Sequence, residues 1–212
     1  MTGLVLAGGR SVRFGSDKSR FVLPGESRDM LRRTLEMLGS VAGVTRLAVA
    51  CRAEQADDLR GRLPSHVALI TDGPHEISSP FYGVMAALRA LDAPLLALSC
   101  DLPLMRADVL SLLVRTRSEV LEMLAPRQHT PLRTTFIHPD GRVETLVSIY
   151  EREALPFLEG TQSAGRRGLF SAIPLDRQTL IPCPEEPPFL NMNTPDCLAL
   201  RLCLGQEDRI QV

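Results

Sequence analysis

An apolar run stops at two glycines and a set of cations follows: Leu4-Val5-Leu6-Ala7-Gly8-Gly9-Arg10-Ser11-Val12-Arg13-Phe14-Gly15-Ser16-Asp17-Lys18. Glycine tolerates positive φ and allows close approach to the backbone, so such a loop can turn its N–H groups onto a phosphate chain. Arg13 and Lys18 add opposite charge. A triphosphate that loses pyrophosphate needs its charge neutralised around the reacting phosphorus, and Lys and Arg do this electrostatically. The plainer alternative is a structural turn with solvated cations. The pattern is not a Walker loop, because no Gly-Lys-Ser/Thr follows the glycines, and it is not a G-x-G-x-x-G fingerprint.

Two acids stand where ligands collect in open α/β sheets, just past the ends of apolar runs. Asp101 follows Leu95-Leu96-Ala97-Leu98-Ser99-Cys100, and Asp72 follows Leu69-Ile70-Thr71. Asp101 either holds a magnesium ion shared with phosphate oxygens or serves as a turn or capping residue before Pro103. Asn191 and Asn193 either extend toward the same pocket or cap a helix opening at Thr194. Gly165-Arg166-Arg167-Gly168 is a phosphate site near a helix start or an exposed basic turn. Cys100, at the end of a buried run, reads as packing rather than as a nucleophile.

The elements that must position these residues alternate. Residues 3–7, 46–51, 67–71 and 94–100 have the apolar character of buried strands. Leu31, Leu35 and Leu38 recur at helical spacing, as do Val84, Ala87, Leu88 and Leu91, and a third helix begins near Arg106 and passes Val109, Leu112 and Leu113. This order predicts an α/β fold: a single-domain, Rossmann-like three-layer sandwich over residues 1–212 with a mostly parallel central sheet. Residues 120–124 read as a further strand. Pro139-Asp140-Gly141 between residues 133–138 and 142–150 signals a β-hairpin arm, suited to a lid over the sheet's end. Residues 151–159 and 165–173 read as helical, and Thr194-Pro195-Asp196 as a helix start.

With 212 residues, 44% hydrophobic, 23% charged and a net charge of -1, the chain has the profile of one globular domain. No chain-wide basic field exists for nucleic acid. The absence of tryptophan and the presence of two tyrosines leave little for a base-stacking platform. Cys51, Cys100, Cys183, Cys197 and Cys203 form no C-x-x-C pair. With no basic-plus-apolar leader at the start, they imply reduced thiols and a cytoplasmic setting. His66, His75, His129 and His138 have no H-x-x-x-H spacing, so zinc is not expected. The apolar stretch at residues 93–100 is too short to span a bilayer.

Taken together, the segments resemble the molybdenum-cofactor guanylyltransferase family, within the nucleotidyltransferases of sugar-pyrophosphorylase type. Leu6-Ala7-Gly8-Gly9-Arg10-Ser11-x-Arg13-x-Gly15-x-Asp17-Lys18 is similar to that family's nucleotide-wrapping loop. Ser99-Cys100-Asp101-Leu102-Pro103 resembles its Cys-Asp-x-Pro motif, and Glu144-Thr145-Leu146 through Tyr150 its Glu-Pro-Leu…Tyr segment. Gly165-Arg166 resembles its Gly-x-Arg, and Asn191-Met192-Asn193-Thr194-Pro195 its closing Asn-x-Asn-Thr-Pro. Three places depart from the pattern. Ser79-Pro80-Phe81-Tyr82-Gly83 stands where Gly-Pro-Leu-x-Gly is frequent, Thr145 where proline is usual, and an asparagine common after the second strand is replaced within residues 49–52.

The resemblance implies that Leu6, Ala7, Gly8 and Gly9 lie along the guanine and ribose, with Lys18 on the phosphates. Asp72 would meet the base or ribose, and Asp101 would bind Mg2+. Arg13, Lys18 and Asp101 would carry catalysis, while Arg166, Asn191 and Asn193 would meet the pterin acceptor. The implied reaction joins GMP from GTP to the terminal phosphate of molybdopterin, with transient contact to molybdenum or tungsten apo-enzymes or their chaperones, and no nucleic acid or membrane. Two rivals are a cytidylyl or other nucleotidyltransferase on the same scaffold, and a non-catalytic carrier of finished cofactor. Gly-Gly after Leu-Ala resembles the guanylyl branch.

Overall fold

The computed structural model describes residues 1–9, 17–73, 79–124 and 130–192. Arg13, Asn193, the Thr194 helix start and Cys197 and Cys203 lie outside the described residues. In chain order come β1 (Thr2–Leu6), α1 (Met30–Ser40), β2 (Arg46–Cys51), α2 (Ala56–Arg62), β3 (Val67–Thr71), α3 (Pro80–Leu91), β4 (Leu95–Ser99) and α4 (Ala107–Leu124). β5 (Arg133–Ile137), β6 (Val143–Tyr150), α5 (Leu155–Ser163), α6 (Leu169–Ala172) and β7 (Gln178–Pro182) follow.

The strands form one seven-stranded sheet in the order β3-β2-β1-β4-β6-β5-β7. β1 to β4 run parallel, β6 runs against them, and β5 and β7 return to the common direction. Alternate residues of each strand feed two cores, because successive side chains leave opposite faces. Val5, Val49, Leu96 and Leu98 pack beneath α1, α2 and α4. Leu4, Leu6, Ala48, Ala50, Leu95 and Ala97 pack beneath α3, α5 and α6. The result is the expected three-layer sandwich. The strand order reverses between β1 and β4, so the crevice between their carboxyl ends is the natural ligand position.

Helix boundaries follow local chemistry. Asp29 accepts from Arg32 N at 2.9 Å and starts α1. Ser79 caps α3 through Phe81 N, with Pro80 in the first turn, and Asp92 ends it in the left-handed region at φ 47°. Gly83 fixes how α3 sits on the sheet. A Cβ there would approach Ala50 Cβ at 3.2 Å and Leu6 Cδ2 at 3.3 Å, so glycine lets the helix lie close to β1 and β2.

Three sequence expectations change. Residues 120–124 are the last turns of α4 rather than a strand. Leu113, Arg117, Val120 and Leu124 keep helical spacing, and no Gly or Pro interrupts the run. The hairpin forms, turning at Gly141 with φ 85°, but it is no free lid. β6 pairs with β4 and β5 pairs with β7, which holds both strands inside the sheet. α2 and β7 are additional elements. One spans seven residues, and the other is a sheet-edge strand ending at Pro182, so neither carries a long apolar pattern.

Candidate active site

At the carboxyl ends of β1 and β4 the structure opens a cleft of about 290 Å3. Leu6, Ala7, Gly8 and Gly9 form one wall, Asp17 and Lys18 another, and Asp72, Ser79, Asp101 and Leu146 contribute from elsewhere. Neither Gly8 nor Gly9 adopts positive φ, contrary to one reason for expecting glycine there. What remains is close approach: a Cβ on Gly9 would meet nothing within 4 Å, so that backbone faces open space.

Lys18 begins a single helical turn, Lys18–Arg20, capped by Asp17 through Ser19 N at 2.9 Å. Its Nζ lies 3.4 Å from Asp101 Oδ2, with side chains 14% and 20% exposed. The other Asp101 oxygen accepts from Ser99 Oγ at 2.6 Å. This arrangement fixes a carboxylate at the cleft with a cation beside it, although 83 residues separate them. A magnesium ion fits the donor chemistry here. It is a hard cation that usually takes one or two carboxylates and completes its shell with phosphate and water. Among the described residues no group of three His, Cys, Asp or Glu forms an all-protein metal cage.

Gln55 is a residue the sequence reading missed. Its Nε2 donates to Ala7 O and to Asp17 Oδ2, both at 3.3 Å, and its Oε1 accepts from Arg52 N at 3.2 Å. It therefore ties together the two described ends of the glycine loop. Only the β2–β1 pairing brings it there, so no local pattern could reveal it. The Ser79 departure is explained as well: serine caps α3, whose amino-terminal end lines the cleft and favours anions.

Met192 N donates to Asp101 O at 2.8 Å, and the Met192 side chain is buried against Leu23 and Met30. Met192 is thereby tied to the Asp101 backbone, with Asn191 exposed beside it. Arg166 stands apart, exposed in a separate depression between α5 and α6 with Phe157 and Thr161. Burial and the neighbouring Asp101 push the Cys100 thiol up to about 12. It stays protonated at neutral pH, which suits packing and not nucleophilic attack.

Residues 3–178 match the family described as MobA-like NTP transferase domain. The chain belongs to that family. It is 32% identical over 209 residues to a protein of Chloroflexus aggregans named probable molybdenum cofactor guanylyltransferase, covering 94% of this chain and 92% of that one. A Pseudomonas fluorescens protein named molybdenum cofactor guanylyltransferase is 31% identical over 201 residues, covering 92% and 90%. The molybdopterin-guanine dinucleotide biosynthesis protein A of Archaeoglobus fulgidus shares the fold, with a TM-score of 0.74 at 24% identity, over 98% of this chain and all of that one. A 4-diphosphocytidyl-2C-methyl-D-erythritol synthase of Anaerococcus prevotii also shares it, with a TM-score of 0.65 at 10% identity over 97% and 95%. As a MobA-like NTP transferase, the chain is a nucleotidyltransferase. No helix among the described residues is long and apolar enough to cross a membrane.

Proposed function

We propose that this nucleotidyltransferase transfers GMP from GTP to the terminal phosphate of molybdopterin, giving the guanine dinucleotide cofactor and pyrophosphate. The observation that carries the reading is Lys18 facing Asp101 at 3.4 Å inside the glycine-walled cleft. The names of the relatives support guanine and molybdopterin as the two substrates. Leu6, Ala7, Gly8 and Gly9 carry the nucleoside, Asp72 the base or its ribose, and Lys18 the phosphates. Asn191 and Asn193 are assigned to the acceptor side, with Arg13 near the reacting phosphorus, while Arg166 lies in its separate depression and is left out of the reaction.

The acceptor is a phosphate monoester with a second pKa near 6, so it is already largely a dianion at neutral pH. Attack needs no general base, in keeping with a protonated Cys100. The barrier comes from bringing two anions together in line. Lys18 lowers it by balancing charge on the phosphates, and the Asp17 cap and Gln55 hold that lysine in place. Mg2+ held by Asp101 would add Lewis-acid charge at the phosphate oxygens. The product would pass to molybdenum or tungsten apo-enzymes or their chaperones. We assign the reaction to the cytoplasm, where Cys51, Cys100 and Cys183 remain reduced.

The test is pyrophosphate release with GTP, Mg2+ and molybdopterin, omitting each in turn and running CTP in parallel. Release that needs all three and favours GTP is expected. A preference for CTP would make the chain a cytidylyltransferase. Tight cofactor binding with no pyrophosphate would make it a carrier.

A further inference from the structure

We propose that Ser99 is a positioning residue for the divalent metal: its hydroxyl holds Asp101 Oδ1 and leaves Oδ2 as the oxygen for the cation. This rests on the transferase reading of the cleft and deepens it by naming the group that orients the cleft carboxylate.

β4 sets the geometry. Successive residues of a strand leave opposite faces, so residues two apart share one. Leu95 and Ala97 enter the core beneath α3, while Leu96, Leu98 and Cys100 enter the core beneath α1 and α4. The alternation thus runs one residue beyond Ser99, where the strand ends. Ser99 and Asp101 follow Leu95 and Ala97 on the α3 face, and both line the cleft with Pro80 and Gly83 of that helix.

The main chain here is fixed on either side of the carboxylate. Ser99 is in register with Leu6 of β1, and Cys100 N donates to Leu6 O at 3.4 Å. Met192 N donates to Asp101 O at 2.8 Å. Rotation of the Asp101 side chain remains, and Ser99 restrains it. Ser99 Oγ donates to Asp101 Oδ1 at 2.6 Å, inside the range of about 2.5–2.7 Å for a hydroxyl on a carboxylate.

The two oxygens therefore have different partners. Oδ1 has a neutral hydroxyl on a strand, and Oδ2 has Lys18 Nζ at 3.4 Å, an ammonium on a long flexible stem. A triphosphate gives that lysine a second anion to serve, which frees Oδ2 to share a cation. The serine has no such alternative and keeps Oδ1. Groups that orient a metal ligand in this way usually change metal affinity by about 10–100-fold when removed. Ser99 stands just before the Cys100-Asp101-Leu102-Pro103 segment, so the motif itself does not include it.

The experiment is equilibrium binding of GTP, without molybdopterin, in EDTA and in Mn2+, which shares the preference of Mg2+ for carboxylate oxygen. The proteins are the wild type, Ser99→Ala, Ser99→Thr and Asp101→Asn. The ratio of the two affinities reads what the metal adds, and the EDTA arm reports any damage to the cleft. Mn2+ is expected to tighten GTP binding by the wild type, and Asp101→Asn should lose that gain. Ser99→Ala should cut the gain about tenfold while its EDTA affinity stays within about twofold of wild type. Ser99→Thr keeps the hydroxyl and should restore the gain. A wild type to which Mn2+ adds nothing overturns the proposal and needs no variant to fold. So does a Ser99→Ala protein with the full gain, one that loses GTP equally with and without metal, or a Ser99→Thr protein that restores nothing. Pyrophosphate release is measured alongside. A wild type with the serine-dependent gain that releases none overturns the transferase reading alone. One that transfers GMP while Ser99→Ala keeps the full gain overturns the Ser99 assignment alone.

Discussion

Beyond the carboxyl ends of β1 and β4, Lys18 and Asp101 meet at 3.4 Å with their side chains still partly open to a cleft. Beyond those of β5 and β7, on the same edge of the same sheet, His138 is sealed to 1% exposure. Its Nε2 lies 2.7 Å from Glu144 Oε1 and its Nδ1 3.1 Å from Glu186 Oε2. Arg142 bridges the two glutamates, and Phe189 packs edge-on against the imidazole. On one half of the rim the charges border space a ligand can fill. On the other they satisfy one another and close the turn of β5 and β6 onto the segment after β7. A charge-assisted contact usually closes to about 2.7–2.9 Å, so the Lys18–Asp101 contact is not drawn fully shut. The difference teaches that charge bordering an open cleft, and not charge alone, separates a candidate site from a brace.

Removing Asp101 tests the open half most severely. Asp101→Ala deletes the cleft carboxylate and is expected to cut GMP transfer about a hundredfold or more, near 3 kcal/mol in the transition state. Folding should hardly change, because the Met192 bond goes to the Asp101 main chain and survives the substitution. A partly exposed ion pair contributes only about 0–1 kcal/mol. Pyrophosphate release beside a thermal melt checks both. Near-normal transfer would take Asp101 out of the mechanism.

His138→Leu inverts the pattern. It leaves Glu144 and Glu186 bridged by Arg142 alone and should lower stability by about 1–2 kcal/mol. None of the four side chains in that network lines the cleft, so transfer at a permissive temperature should stay within about threefold of wild type. Denaturant titration and steady-state rates decide it. A large rate loss with unchanged stability would mean that both halves of the rim do chemistry.

How much of this was legible in the sequence follows the same division. β1 to β4 announce themselves as unbroken apolar runs, and the loops after β1, β3 and β4 supply Gly8, Asp72 and Asp101. Parallel neighbours bring those loop ends together whatever the intervening length, so the cleft could be anticipated from strand ends. The brace could not. Glu186 and His138 meet across 48 residues through β7, an edge strand with no strong pattern. Arg133 makes the point more sharply, because a cation in a hairpin strand reads as solvated. It is fully buried, donating to Leu169 O at 2.8 Å and from Nε to Gln178 Oε1 at 3.1 Å, over the Tyr150 ring. Those acceptors come from α6 and β7, and their convergence is a property of the fold. Gln55 escaped notice for the same reason.

The smallest expected effect lies with Cys100, which joins the two halves of the comparison because it is a buried group immediately beside the cleft carboxylate. Burial first, then Asp101 and Asp17, raises its thiol from 9.0 to about 12. Below pH 9 the thiol is protonated in the folded and unfolded chain alike, and its contribution to folding is intact. Between pH 9 and about 12 the unfolded chain gives up the proton while the folded one keeps it, so stability falls as pH rises through that window. Cys51, raised to about 11 by burial, adds a similar slope in any protein that retains it. The informative quantity is therefore a difference. From pH 8.5 to 10.5 the melting midpoint of wild type should fall more steeply than that of Cys100→Ser, by about four degrees beyond the common slope. Equal slopes would mean that Cys100 ionises as readily folded as unfolded. The thiol would still be protonated at neutral pH, but neither burial nor the neighbouring carboxylates would then be holding it up.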